Sequence, residues 1–226
     1  MKKIICAFVL LACSGVGAQT FNFRTDYDKV LARTRDSKDP LFYETQIKRF
    51  TSHDLKQTDL EVLSLLIAFS QRKEFGPMKD AFRESIIKEL IEAQKYDEAL
   101  QIANKLLKTN PLNVKGIYQK AYALGKMGQK DSAQVYDKQW QKILKAMFLS
   151  GKGTAITDAT FSLGPDDGSV FIGQFIGGQV LQMRTEKNNA GQSFAVYEVQ
   201  FEKRKLTLYF AIDHAVKRME EEEQRR

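Results

Sequence analysis

Hydrophobic residues recur at helical spacing along most of the first 148 residues. The pattern predicts helices over 21–35, from Pro40 to residue 50, from residue 58 onward, and over 79–93. Thr58 and Glu61 have capping-box spacing and mark the start of the third of these helices. The residues expected to face inward on the first three helices are Phe23, Tyr27, Val30, Leu31, Leu41, Phe42, Ile47, Phe50, Leu60, Leu63, Leu66, Ile67 and Phe69.

A further amphipathic helix is predicted over 96–109. Pro111 disfavours a helical conformation for the residue before it and so ends this helix. Asn113 can cap the next helix, which begins near Val114, and Gly128 can take the left-handed conformation that ends it. The apolar positions of the 96–109 helix are Leu100, Ile102, Ala103, Leu106 and Leu107.

Residues 92–133 carry a repeat-like pattern, because Asp97 and Ala99 recur thirty-four positions later as Asp131 and Ala133. This spacing resembles a tetratricopeptide repeat. Small residues stand where helices of that family pack closely, and Ile117 stands where the family has tryptophan. A generic helical hairpin is the alternative interpretation. The other positions that match the pattern are Tyr96, Ala103, Pro111 and Ala121.

The tetratricopeptide resemblance implies a binding surface. In that family the first helix of each pair lines a concave groove that holds a peptide. Lysines there can pair with carboxylates, and tyrosines offer contact area at low entropic cost. The alternative is that the tyrosines pack internally and the lysines are only solvated. The groove positions implied here are Glu84, Lys88, Lys115, Tyr118, Tyr122 and Lys126.

After residue 148 glycines cluster and alternation replaces the helical period. Gly151 and Gly153 mark a linker, 164–168 is a turn by composition, and 170–176 is either a strand or a short helix. Glu202 to Lys205 forms a charged hairpin turn. We expect a small antiparallel sheet with one face on the last helices, followed by a solvated helical tail over 214–226. The alternating strand residues are Ala159, Phe161, Leu163, Ala195, Tyr197, Val199, Phe201, Leu206, Leu208, Phe210 and Ile212.

Residues 1–18 have the lysines, short apolar run and small-residue cleavage site of a secretory signal peptide. Leu10 to Cys13 also looks like a lipobox, which would make Cys13 a lipidated N-terminus, although a good cleavage site follows at Ala18. Cys6 and Cys13 are the only cysteines, so cleavage at Ala18 leaves none. Disulfides, thiol catalysis, zinc–thiolate sites and iron–sulfur clusters are then excluded.

The net charge of +7 becomes +5 without the two leader lysines, since 33 basic residues then face 28 acidic ones. The excess is modest and spread along the chain. No basic patch interleaved with aromatic residues is visible, so we do not expect nucleic-acid binding.

Candidate catalytic groups are few. The neighbours Ser52, His53 and Asp54 point apart and indicate a polar turn. The segment 150–154 lacks a phosphate-loop pattern and is a linker, while 173–177 is a turn feature. His214 is the only other histidine, and no metal site is expected. Carboxylates that could serve a hydrolase are Asp158, Asp166, Asp167, Glu198 and Asp213.

Short motifs extend a second resemblance over nearly all the chain after the leader. The motifs in the first half of the chain are residues 40–43, 49–50 and 75–77, with Asp54, Thr58 and Glu61. The motifs in the second half are residues 150–154 and 206–210. The chain is similar in these to domain of unknown function 4919, a family of uncharacterised bacterial secreted proteins. It lacks the second aromatic pair expected near residues 65–66. The resemblance implies the fold, export and a short helix over 170–176, and no activity.

The sequence therefore predicts an α+β protein. We expect a signal peptide over 1–18, a helical tetratricopeptide-like array over 19–148, a small antiparallel β region over 149–213 and a charged tail over 214–226. The expected role is binding a protein or peptide in the bacterial envelope, without catalysis or cofactor. An envelope hydrolase using carboxylates and a structural lipoprotein anchored in the membrane at Cys13 are the alternatives. The partner and the oligomeric state are not predicted.

Overall fold

The computed structural model describes residues 23–225 and confirms the α+β class. Helices dominate up to residue 150, and a four-stranded sheet and a last helix follow. The predicted leader and Cys13 lie outside the described residues. The helices are α1 (Phe23–Arg33), α2 (Tyr43–Thr51), α3 (Asp59–Phe69), α4 (Pro77–Glu92), α5 (Tyr96–Thr109), α6 (Val114–Lys126), α7 (Lys130–Ser150), α8 (Asp167–Val170) and α9 (Asp213–Gln224). The strands are β1 (Thr160–Phe161), β2 (Gln179–Lys187), β3 (Ser193–Phe201) and β4 (Arg204–Ala211).

Local capping explains where the helices of the array begin and end. The Thr58 hydroxyl accepts a hydrogen bond from the Glu61 N–H at 3.2 Å, while the Glu61 carboxylate accepts one from the Thr58 N–H at 2.7 Å, which completes the predicted capping box. The Asn113 side chain caps α6 by accepting from the Gly116 N–H at 2.6 Å. Gly128 follows α6 with a φ of 77°, as predicted.

The main hydrophobic core is continuous from the helices into the sheet. It joins residues of α2, α3, α6 and α7 to Tyr197 of β3 and Phe210 of β4. Helix α3 is apolar all round, and every side chain from Val62 to Phe69 is buried, as expected for a helix at the centre of a core. A smaller cluster of Ile87, Ala99, Ala103 and Leu106 packs α4 against α5.

The sheet has the order β1-β4-β3-β2, with both β2–β3 and β3–β4 antiparallel. Strand β1 pairs with β4 in parallel, so the sheet is mixed and not wholly antiparallel as expected. The chain reaches β1 from α7 through a 3₁₀ turn over Ile156–Asp158, and α8, β2 and β3 separate β1 from β4, so no hairpin joins the two paired strands. Strand β2 was not predicted, because its side chains are exposed or half-buried throughout and carry no clear alternation.

The segment over 170–176 is helical, which agrees with the family resemblance and excludes the strand. Helix α8 begins inside the predicted 164–168 turn and continues as a π-helical turn over Phe171–Ile176. Gly177, with a φ of 75°, ends it in the left-handed conformation. Residues 173–177 are thus the end of a helix, rather than a turn alone.

Helix α9 packs on both the sheet and the helical array, which differs from the predicted solvated tail. The His214 ring stacks on Phe161 at a centroid distance of 4.7 Å, and Ala215 is fully buried. Further along, the Glu222 carboxylate accepts a hydrogen bond from the Met78 N–H at the start of α4 (3.1 Å). Of the charged residues that suggested a solvated tail, Glu220, Glu221, Glu223 and Arg225 are exposed, whereas Glu222 docks on α4. No helix among residues 23–225 has the length and apolarity needed to cross a membrane.

Candidate functional site

A buried group of charged residues lies where α4 and α6 meet the segment that leads into α8. It consists of Asp80 and Glu84, one turn apart on α4, Lys115 in the first turn of α6, and Asp166 and Asp167 at the start of α8. We call these five residues the acid–lysine cluster. Asp80, Glu84 and Asp167 are each at most 6% exposed. Burying several carboxylates together is costly unless they are hydrogen-bonded, paired or protonated.

Glu84 has three partners that tie α4 to α6. The Asn113 amide donates a hydrogen bond to its carboxylate at 2.7 Å, and the Lys115 ammonium lies 3.5 Å from its other oxygen. The Gln119 amide donates to the Glu84 backbone carbonyl at 3.0 Å. Lys115 also donates to the Asp166 carboxylate, so this lysine joins the array to α8.

Burial shifts the ionisation of the cluster. It raises the pKa of Asp167 to about 8, helped by the nearby Glu84 charge and opposed by the hydrogen bond from the Gly164 N–H at 2.7 Å. Burial also raises the pKa of Asp80 to about 6, although the Asn110 amide, which donates to Asp80 at 2.8 Å, works in the opposite direction. At neutral pH, these shifts favour the protonated form of Asp167 more than that of Asp80.

The pKa values of Glu84 and Lys115 are both raised, but for different reasons. Burial raises the pKa of Glu84, opposed mainly by the Lys115 charge. Burial works to lower the pKa of Lys115, but Glu84 and Asp166 together raise it. Lys115 thus keeps its charge, because two carboxylates face it.

The cluster borders an enclosed space of about 20 Å³, which is enough for about one water molecule. Its remaining wall comes from the chain that leads into α8. The residues around this space are Pro77, Asp80, Ala81, Glu84, Asn110, Asn113, Leu163, Gly164, Pro165, Asp166 and Asp167.

Next to the cluster, α4, α6 and the α8 segment form a concave surface of about 500 Å³. We call it the tyrosine groove. Two aliphatic side chains and two tyrosine rings line it together with four charged and three uncharged polar residues. Its lining residues are Lys88, Ile91, Glu92, Lys115, Tyr118, Gln119, Tyr122, Asp166, Ser169, Val170 and Gln174.

The two tyrosines separate this groove from a second concave surface of about 410 Å³, which Lys126, Ala133 and Asp137 also line. Tyr118 is held by an edge-to-face contact with Trp140 at 5.7 Å between ring centroids. Tyr122 is 42% exposed, and the Lys126 ammonium lies 5.2 Å from the centroid of its ring. One tyrosine is therefore anchored and the next is presented to solvent.

The structure brings most of the predicted groove residues together. Lys88, Lys115, Tyr118 and Tyr122 line the tyrosine groove, and Lys126 lines the second surface beside it. Glu84 lies beneath them, buried against Lys115. Binding of a partner at these residues stays a prediction.

A family model described as domain of unknown function (DUF4919) matches residues 28–221. The chain belongs to this family. The match confirms the resemblance carried by the short motifs. No curated protein and no solved structure gives a significant match. The tetratricopeptide resemblance stays a prediction, because the matching model is a different one.

In this DUF4919 chain, the carboxylates considered for a hydrolase do not all meet. Asp166 and Asp167 belong to the acid–lysine cluster, whereas Glu198 pairs with Arg184 at 3.1 Å and Asp213 with Lys217 at 2.8 Å. Asp158 lies on the 3₁₀ turn before β1. Within residues 23–225, no group of histidine, cysteine or acidic side chains has the arrangement to hold a metal ion.

The region of Ser52, His53 and Asp54 is a polar turn, as predicted. The Asp54 carboxylate accepts from the Lys56 N–H at 2.9 Å, and the Ser52 hydroxyl donates to the Arg49 carbonyl at 3.0 Å. Arg49 also pairs with Asp54 and with Glu61, at 2.8 and 2.6 Å. These contacts stabilise the loop that connects α2 to α3.

Sequence reasoning missed Asp80 and Asn110, and it assigned Glu84 to an open groove. The sequence signal that was available is the spacing: Glu84 follows Asp80 by four residues, and the apolar Ile87 follows Glu84 by three. In the structure Ile87 is fully buried. A stripe of this kind predicts that the acids share the inward face of α4. Their partners at Asp166 and Asp167 lie too far along the chain for any such pattern.

Proposed function

We propose that this chain is an exported, non-catalytic protein of the bacterial cell envelope that holds a segment of another protein in the tyrosine groove. The observation that carries the proposal is the exposed ring of Tyr122 between two concave surfaces. The signal-peptide pattern of residues 1–18 supports export.

The geometry favours an extended segment as the ligand. A segment that crosses the Tyr122 ring can place side chains in the concave surfaces on either side of it. Anchored and exposed tyrosines offer large contact area with little loss of side-chain entropy. Lys126 on one side favours an acidic side chain in that segment, and so does Lys88 on the other, although Lys88 already lies 3.7 Å from the Glu92 carboxylate.

Lys115 is a poor residue for testing this proposal. Its charge is already matched by Glu84 and Asp166, so it offers little to a partner. Reversing it would bring a further negative charge beside the carboxyl groups of Glu84, Asp166 and Asp167 and disrupt the fold. Lys88 and Lys126 are suitable, because their changes leave the cluster intact.

A photo-crosslinking amino acid in place of Tyr122 tests the proposal in the native envelope. Leu55, which is 48% exposed and lies outside both concave surfaces, is the matched control position. We expect a protein to be captured from position 122 and not from position 55. We also expect purified segments of that protein to bind at least tenfold more weakly to Tyr122→Ala and to Lys88→Glu/Lys126→Glu. Equal capture at both positions would contradict the proposal.

A second candidate function, hydrolysis by paired carboxylates, is favoured by the ionisation of the acid–lysine cluster. Asp167, whose pKa is raised to about 8, and Asp80, whose pKa is raised to about 6, line the same enclosed space and offer the acid and the base that general acid–base chemistry uses. The enclosed space there admits about one water and no sugar or peptide, so this function requires the contact between α4 and α8 to open. Hydrolysis of envelope sugars or peptides that is lost in both Asp80→Asn and Asp167→Asn would support it. Hydrolysis that survives both changes would exclude the cluster as its source.

The structural lipoprotein remains the third candidate, and the mature N-terminus decides it. Mass spectrometry of the native protein would find Gln19 first after cleavage at Ala18, or a lipid-modified Cys13. We propose the first outcome.

A further inference from the structure

Strand β2 is an open edge of the sheet. It lies last in the strand order, and in the part of the chain that the structure describes no strand pairs with its outer side. Its nine side chains are exposed or half-buried, including Leu181 and Met183 at 46% and 39%. Strand β2 contacts the π-helical turn over Phe171–Ile176, and Val180 near its start packs against the main core.

The direction of the backbone groups on β2 follows from its hairpin with β3. The Asn188 N–H donates to the Gln192 carbonyl at 3.0 Å, which makes these two residues a hydrogen-bonded pair. Pairs of this kind alternate along antiparallel strands. In the observed register Glu186 and Arg184 therefore bond to β3. The N–H and C=O groups of Met183, Thr185 and Lys187 point to the open edge.

Edge strands commonly carry bulges and charges that prevent pairing with other chains. The irregularity in β2 lies between Val180 and Gln182, so the strand is regular from Met183 to Lys187. The charged side chains in this regular part are Arg184, Glu186 and Lys187, and Lys187 already pairs with Glu220 at 3.8 Å. Arg184 and Glu186 lie on one face, two residues apart and joined at 2.6 Å.

We propose that two copies of this chain associate through their β2 edges, antiparallel and about a two-fold axis at Thr185. Thr185 then faces Thr185 of the second copy, and Met183 faces Lys187. Arg184 faces Glu186 of the second copy, twice by symmetry. Because the outward backbone groups belong to Met183, Thr185 and Lys187, this arrangement forms about six hydrogen bonds between the copies.

The charge pattern selects this arrangement over its neighbours. An axis at Arg184 places two arginines directly opposite each other, and an axis at Glu186 places two glutamates opposite each other. Like charges in directly opposed positions destabilise a strand pair. An axis at Met183 leaves Arg184 opposite Gln182 and gains no ion pair. Of these arrangements, the axis at Thr185 is the one that places Arg184 opposite Glu186.

The interface is small compared with the roughly 1,200 Å² that stable complexes bury. We therefore expect reversible self-association at protein concentrations on the order of 100 μM, weakening as salt rises. This surface is separate from the tyrosine groove, so either proposal can fail without the other.

Two charge reversals test the pairing. An Arg184→Glu copy presents two acidic positions at this edge and repels itself, and a Glu186→Arg copy presents two basic ones and does the same. Mixed in equal amounts, they place acidic positions opposite basic ones. In sedimentation velocity we expect dimer from the unchanged chain, monomer from each variant alone, and dimer again from the mixture.

Lys205→Glu is the control, since it changes the net charge as Arg184→Glu does but lies on β4, away from the edge. It should leave the dimer unchanged, and circular dichroism should show all variants folded, because exposed ion pairs contribute little to stability. An unchanged chain that stays monomeric at about 1 mM would overturn the proposal. So would a dimer that survives Arg184→Glu alone, or a mixture that does not dimerise.

Discussion

Gly168 lies where α8 meets the aromatic rings of the sheet. A Cβ atom at this position would lie 2.6 Å from the Tyr197 ring and 3.1 Å from the Phe210 ring. Both rings are buried in the core and pack edge-to-face on each other at 5.3 Å, so neither can move aside without disturbing its neighbours. Absence of a side chain at residue 168 is thus a packing requirement.

We expect Gly168→Ala to lower the free energy of unfolding by about 1–3 kcal/mol, which is typical of overpacking a core. Urea denaturation measures the change. Gly173→Ala is the matched control, because a Cβ there meets nothing within 4 Å. The prediction fails if Gly168→Ala is as stable as the control.

At the scale of single residues, the sequence predicts hydrogen bonds between near neighbours better than those between residues far apart in the chain. The caps at Thr58 and Asn113 were predicted, because the residue and the N–H that it serves lie within three positions. The acid–lysine cluster was not, because Lys115 and Asp166 are fifty-one positions apart. Their meeting depends on how α6 and α8 pack, which no local pattern encodes.

Helix α9 is held to the rest of the protein by an aromatic stack around His214. The ring lies 4.7 Å from that of Phe161 and 5.8 Å from that of Phe75, and its Nε2 is 3.1 Å from the Leu163 carbonyl oxygen. Burial lowers the pKa of His214 to about 4, although the nearby Asp213 acts to raise it. The helix is therefore docked through a neutral histidine that donates to Leu163.

Acid should weaken this docking. Because the pKa of His214 is about 6.5 in the unfolded chain and about 4 in the folded one, the unfolded state binds more protons between these values. The contribution of His214 to the free energy of unfolding is therefore complete above pH 6.5. As pH falls toward 4 this contribution is lost, which lowers the free energy of unfolding by about 2–3 kcal/mol. His214→Phe keeps a ring in the stack and removes the titration. Unfolding measured between pH 4 and 7 should show a smaller acid loss in this variant, and equal losses would contradict the prediction.

At the scale of elements, predictability follows from the strength of the periodic pattern. Helix α5 was predicted with its observed bounds, because its apolar stripe is bordered by a proline. Strand β2 was not predicted, because a strand with little buried surface shows no alternation of hydrophobic and polar residues. The 170–176 segment was ambiguous from its own residues, since a short apolar run suits either a strand or a buried helix.

The helical array and the sheet share one core, so the predicted boundary at residues 148 and 149 crosses continuous packing. Helix α7 itself runs on to Ser150, whose hydroxyl accepts a hydrogen bond from the Phe161 N–H of β1 at 2.7 Å. The acid–lysine cluster joins the same two parts on another side. The ionisation of that cluster should therefore be measurable in the stability of the whole molecule.

We expect Asp167→Asn to stabilise the protein as pH rises. The pKa of Asp167 is about 8 in the folded protein and near 4 when unfolded, so the folded state binds more protons between these values. The contribution of Asp167 to stability is therefore complete below pH 4 and falls as pH rises toward 8. An asparagine oxygen can still accept from the Gly164 N–H without this cost.

The expected gain is about 1–3 kcal/mol at pH 7, and it should shrink toward pH 4. Urea denaturation across this range measures it. Glu89→Gln, at an exposed position on α4, is the control for loss of one negative charge. A variant no more stable than the unchanged protein at pH 7 and 8 would show that Asp167 is not strained by its burial.

The contacts that dock α9 also constrain the order in which the chain folds. Glu222 reaches Met78 across 144 positions, and Arg218 donates to the Arg72 carbonyl across 146. Contacts this distant close late, because the entropy of the intervening chain is lost before they form. During synthesis, the Met78 N–H in the first turn of α4 can therefore bond to the Glu222 carboxylate only after α9 has been made. The helical array, although first in the sequence, receives these two contacts only when α9 has docked.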